Sequence, residues 1–206
     1  MPKSRPYQPL IFRLVHAANG LLVLASMATG FWLYNTWDYR FGRLPLPDAS
    51  NRWLDIHGQL GEIVSVCFAV FLLYSLFAGR KRLIQLKSLK QLPHLNRPSG
   101  QYALLHLINT GLLGMLLLSV VSARQFGGAR ALLNSEWDNV WYNLHVFAWA
   151  SMVVLVIAHV TLSWKAGGIP LLQSMADRRV RPGDSPLRWP ERFQRWVKSL
   201  SNSASK

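Results

Sequence analysis

Four apolar segments decide what this chain can fold into. Residues 10–34, 56–78, 102–123 and 140–164 each exceed the roughly 20 residues a helix needs to cross about 30 Å of hydrocarbon. They occupy so much of the 206 residues that little is left for a separate soluble domain. The expected fold class is all-α: an integral membrane four-helix bundle over residues 1–165, followed by a tail at 166–206. The first segment also has a signal-peptide aspect, with the basic flank "MPKSRPYQPLIFR" and the small residues of "ASMATG". Its apolar run continues through Phe31, Trp32, Leu33 and Tyr34, past the 7–15 residues usual for a cleaved leader, so it reads as a spanning helix.

Charge gives the bundle an orientation. The net charge of +14 is unevenly placed: the start of the chain through Arg13, residues 80–101 and residues 165–206 hold 18 of the 23 Lys and Arg. The other two loops balance Arg40, Arg43, Arg52, Arg124 and Arg130 against Asp38, Asp48, Asp55, Glu136 and Asp138. Positive segments stay on the cytoplasmic side. Both termini are therefore expected inside a bacterial-type inner membrane, with loops 35–55 and 124–139 outside. Anionic lipid headgroups account for the basic excess, and nucleic acid is not expected as a partner. In the tail, "RWPERFQRWVKSL" spaces Trp189, Phe193, Trp196, Val197 and Leu200 at helical intervals with Arg192, Arg195 and Lys198 between them. That pattern predicts an amphipathic interfacial helix over about 189–200. The single cysteine, Cys67, lies inside the second span and reads as a packing residue; no C-x-x-C-H motif for covalent haem attachment occurs.

Against this apolar background the histidines stand out. His94 sits in an inner loop beside Pro93, while His16, His57, His106, His145 and His159 lie within spans, where an ionisable side chain is a functional hypothesis by default. Alternating span direction sorts them by depth. His57 and His145 fall near the outer face; His16, His106 and His159 fall near the inner face. His145 and His159 are fourteen residues apart in "NLHVFAWASMVVLVIAH". Fourteen helical residues rise about 21 Å and end about 40° short of four full turns, so the two rings leave nearly one face of the fourth span at two depths. One helix can thereby serve two stacked centres in a bundle core.

Two imidazoles per centre, with no nearby cysteine or carboxylate cluster, are too few for closed structural zinc. They suit a six-coordinate haem that passes electrons. Gly20, one turn past His16, and Gly58 and Gly61, just past His57, would let a macrocycle approach the helices. The outer pair is His57 with His145. At the inner level 16–159, 16–106 and 106–159 are all open on depth alone.

The motifs "RLVHAANG", "LDIHGQLG" and "NLHVFAWASMVVLVIAH" together resemble the bacterial di-haem cytochrome b561 family, related to the cytochrome b subunits of nickel–iron hydrogenases and formate dehydrogenases. The likeness covers about residues 10–165. It implies two haem b groups, one ligated by His16 and His159 and the other by His57 and His145. His106 is then a departure or a group outside the ligand set, because the family takes no ligand from the third span. The resemblance also implies exchange of electrons with quinone, with members acting either alone or as anchors for a catalytic oxidoreductase.

Three further residues are candidates. Glu62 is the only acid inside a span and could relay a proton, or be held by Ser65 or Gln59. Arg13 at the inner end and Arg124 at the outer end could meet haem propionates. Trp32, Tyr34, Trp141, Tyr142 and Trp164 read as an aromatic belt at the interfaces. The expected function is transfer of electrons between a membrane quinone pool and a partner oxidoreductase or soluble donor. The alternatives are a stand-alone quinone reductase using a small outer-face donor such as superoxide, and a haem-free structural or transport bundle.

Overall fold

A computed structural model of the chain describes residues 6–127, 139–191 and 194–195. It is all-helical, with no strand among the described residues. Helix α1 (Leu10–Leu33) runs straight into a π-helical turn at Tyr34–Asp38. After the loop at 39–50 come α2 (Asn51–Phe77), a 3-10 turn at Arg80–Arg82 and the single-turn α3 (Leu86–Leu89). The two remaining long helices are α4 (Pro98–Phe126) and α5 (Val140–Ala176).

Among the described residues four helices are long and apolar enough to cross a membrane, with mean hydropathies between 1.6 and 2.1 over their most apolar windows. Their outer faces carry large apolar side chains in the open: Leu21 is 70% exposed, Val66 67% and Val154 66%. A water-soluble bundle turns such residues inward; here they are a lipid-facing surface. α2 begins before its expected span, α5 ends beyond its own, and α4 overruns at both ends, because these segments continue helically past the hydrocarbon-length apolar run. In particular α4 starts at Pro98, tolerated at the first turn, where its missing N–H costs nothing.

α1 packs mainly on α2 and α4 mainly on α5, while contacts between the two hairpins are sparse. They meet at mid-height, where Val23, Val64, Phe68, Leu113, Leu116 and Met152 form one buried apolar cluster drawn from all four helices. Met152 is midway between His145 and His159 in sequence, so this plug separates two polar levels of the bundle. One end of the bundle is made by the start of α1 and the residues after α5, and is called the terminal end here. The other is made by the loop at 39–50 and is called the loop end.

The last long helix continues past its apolar run into the basic segment. Helical structure runs on from 164 to Ala176 across a kink at Gly168, whose φ of 66° is in the left-handed region that favours glycine. Pro170 follows, unable to donate a backbone bond. The chain then turns back over α1: the Asp184 carboxylate accepts from the Leu10 amide at 2.5 Å and from the Tyr7 hydroxyl at 2.7 Å. It thus caps a helix whose own N-cap, Pro9, offers no side-chain acceptor. Of the expected interfacial helix at 189–200, residues 189–191 and 194–195 are helical. Its other positions, and Arg130, Glu136 and Asp138, lie outside the described residues.

Candidate functional site

Two pairs of imidazoles face each other across the gap between the hairpins. At the loop end the ring centroids of His57 (α2) and His145 (α5) are 6.4 Å apart, with planes at 80°. At the terminal end His16 (α1) and His159 (α5) are 6.1 Å apart, with planes at 34°. Both distances suit a metal held between two imidazoles. Two metal–nitrogen bonds of about 2 Å, each extended by about 1.2 Å from nitrogen to ring centre, put the centroids about 6.4 Å apart.

Hydrogen bonds fix which nitrogen each ring presents. The Asn109 side chain donates to the Arg82 carbonyl at 3.1 Å, which leaves its Oδ1 as acceptor for His159 Nδ1–H at 2.9 Å. Thr29 Oγ1 spends its proton on the carbonyls of Ala25 and Ser26, and so accepts from His57 Nδ1 at 2.9 Å. His145 Nδ1 lies 3.0 Å from the carbonyl oxygen of Ser119, which can only accept. In all three rings the proton sits on Nδ1 and the Nε2 lone pair remains for a metal. His16 is positioned differently, by the rings of Phe12 at 5.5 Å and Phe71 at 6.0 Å.

Around the loop-end pair is a cavity of about 820 Å3, bordered by Gly30, Gly58, Gly61, His57, His145 and Trp149 among others. That volume is within the range of cofactor pockets. Gly30 gives the His57 ring its room: a Cβ there would lie 3.1 Å from His57 Cε1, closer than ordinary contact. At Gly20 and Gly61 an added Cβ would meet nothing within 4 Å, so those backbones border open space. The donor set, the ring spacing and the bare glycine faces all fit a haem.

The model of prokaryotic cytochrome b561 matches residues 7–177, a stretch that includes all four long helices. The chain belongs to the prokaryotic cytochrome b561 family. No curated protein and no solved structure matches it. This cytochrome is accordingly an integral, multi-pass membrane protein of b type that binds haem and serves electron transfer.

The other candidates of this cytochrome fall as follows. His106, eight residues into α4, is half-buried and has no ring contact with His16 or His159 among the described residues. Glu62 is not held by Ser65, whose hydroxyl donates to the Gly61 carbonyl at 2.7 Å. It is ion-paired with Arg124 of α4, and both residues border the loop-end cavity. Arg13 is 4% exposed; its guanidinium donates to the Arg179 carbonyl at 2.8 Å and lies over the Tyr7 ring at 5.6 Å, while its Nε has no partner among the described residues.

The aromatic belt needs correcting at Tyr142, which is 5% exposed and donates to the Asp38 carboxylate at 2.6 Å. Asp38 also takes Arg40 Nε at 2.7 Å, and this bond raises the Arg40 pKa above its usual value. The π-turn at Tyr34–Asp38 carries that carboxylate inward; such turns recur at functional sites. Sequence reasoning also passed over Thr29, Ser119, Gly30 and Asn109. The available signal was a polar or minimal residue inside an apolar span, at the depth of a histidine on another helix.

Proposed function

We propose that this cytochrome carries two haem b groups, one held by His57 and His145 and the other by His16 and His159, and passes electrons between a membrane quinone pool and a partner. The observation that carries this reading is the repetition of one geometry at two depths. Each level has two facing imidazoles about one metal's width apart, and α5 contributes to both. Haem iron held by two imidazoles would have no open position and would exchange single electrons. The chain's own part is to orient the rings through Thr29, Ser119 and Asn109, and to keep a dry apolar plug around Met152 between the levels.

The positive-inside argument supports termini in the cytoplasm and the His57–His145 centre towards the outer face of an inner membrane. Residues 1–165 are read as the electron-transfer domain and 166–206 as a basic tail at the lipid surface. Glu62 and Arg124, an ion pair bordering the loop-end cavity, are the residues proposed to exchange protons and hydrogen bonds with a quinone headgroup. The chain has no flavin or dinucleotide motif, so a catalytic oxidoreductase subunit or a soluble donor supplies the electrons. A small anionic donor such as superoxide has less support, because Arg40 and Arg43 of the loop end are already paired with Asp38 and Asp48. The test is a pyridine haemochrome assay on the purified chain. Two haem b per chain is expected, and a chain without haem b would sink the reading.

A further inference from the structure

Arg82 is a charged residue that neither the span pattern nor the family motifs single out, yet one residue links it to each histidine of the terminal-end pair, Phe12 to His16 and Asn109 to His159. It closes the 3-10 turn after α2. Its guanidinium lies 4.0 Å above the Phe12 ring, which in turn lies 5.5 Å from the His16 ring. A hydrogen bond of 2.7 Å to Gln8 Oε1 holds it there. Its backbone carbonyl anchors Asn109 at 3.1 Å, and Asn109 takes the Nδ1 proton of His159 at 2.9 Å. The turn is itself pinned to α4, because the Ile84 amide donates to Thr110 Oγ1 at 2.9 Å.

Two comparisons single this residue out. Among the described residues Arg82 has no carboxylate partner, so its charge is not cancelled locally. Arg13, one turn before His16 on α1, turns instead toward the tail, where it meets the Arg179 carbonyl and Tyr7. An arginine cannot lose its proton in a protein, so the charge beside His16 is permanent. A centre that gains an electron becomes less positive by one unit, and a fixed cation nearby favours that state. Partial burial strengthens the effect.

We propose that Arg82 sets the redox potential of the His16–His159 centre, as a fixed cation beside His16 and as the carbonyl that seats Asn109 under His159. This rests on the two-centre reading above. The residue is a positioning and tuning group, with no contact to a quinone required.

The experiment is a potentiometric titration of the full, haem-loaded chain in detergent, followed by absorbance, with haem counted in the same samples. In Arg82→Gln, one of two components should show about a tenfold lower ratio of reduced to oxidised form at a given potential, a fall of about 59 mV for one electron. The other component should not move, and Arg82→Lys should return the first to within about twofold of wild type. Should Arg82→Gln fail to accumulate, Gln8→Glu places a carboxylate on the guanidinium and must lower the same component. Unmoved potentials, or equal shifts in both components, overturn the role of Arg82 and leave the two-centre reading standing. A wild-type count below two haems per chain overturns both.

Discussion

Replacing Asn109 with leucine tests the terminal-end centre at a residue that would touch no iron. Leucine repeats the branched skeleton of asparagine with bulkier methyl ends, and the acceptor for His159 Nδ1–H, now 2.9 Å away, is lost. A buried donor left without an acceptor costs about 1–3 kcal/mol. As a change in affinity this is about 5- to 150-fold, in line with the roughly tenfold to hundredfold losses seen when the outer partner of a metal-bound histidine is removed. The Arg82 carbonyl also loses its donor, but it belongs to a half-buried turn that water can reach, so most of the loss belongs to His159. The assay is titration of haem into the haem-depleted chain in detergent, resolved into its two spectral components. One site should weaken by the stated factor while the other holds, and Asn109→Asp, which keeps an acceptor, should weaken far less. Equal affinities in Asn109→Leu and wild type, or a loss confined to the His57–His145 component, would refute the reasoning.

Further outcomes follow from the same geometry. His145→Ala and His16→Ala should each lower the haem count from two to one per chain and remove different spectral components, whereas His106→Ala should remove neither. Gly30→Leu should displace the His57 ring, because even a Cβ lies 3.1 Å from it, and should cost the loop-end component; Gly20→Leu, which fills the open space one turn past His16, should cost the terminal-end component instead. Glu62→Gln breaks an ion pair whose side chains are 63% and 56% exposed, so thermal stability should change little while quinone reduction by the pre-reduced, loaded chain slows; an unaltered rate would remove Glu62 from the quinone site. Asp184→Ala removes the cap on α1 and should cost about 1–2 kcal/mol, read as a lower unfolding temperature and faster proteolysis near residue 184; resistance equal to wild type would mean that the tail contact is not stabilising.

The sequence by itself determined the spans, because hydrocarbon thickness and the helical rise convert an apolar run directly into a membrane crossing. It also determined the depth of each histidine, because depth is distance along a helix whose rise is about 1.5 Å per residue. That sufficed to place His57 and His145 at one level, and His145 and His159 on one face of α5. It could not choose among His16, His106 and His159 at the other level, because equal depth says nothing about which face one helix turns toward another.

That is fixed by packing, and only the tertiary structure shows the rings of His16 and His159 at 6.1 Å with His106 outside the pair. The same limit hid Asn109, Thr29 and Gly30, each of which matters through a contact with a different helix. Glu62 and Arg124 are 62 residues apart in sequence, and nothing in either span foretells their pairing. The tail read as a basic appendage because charge patterning is local. Its return to cap α1 depends on a kink at Gly168 and one carboxylate at Asp184, which only the folded chain brings against Leu10.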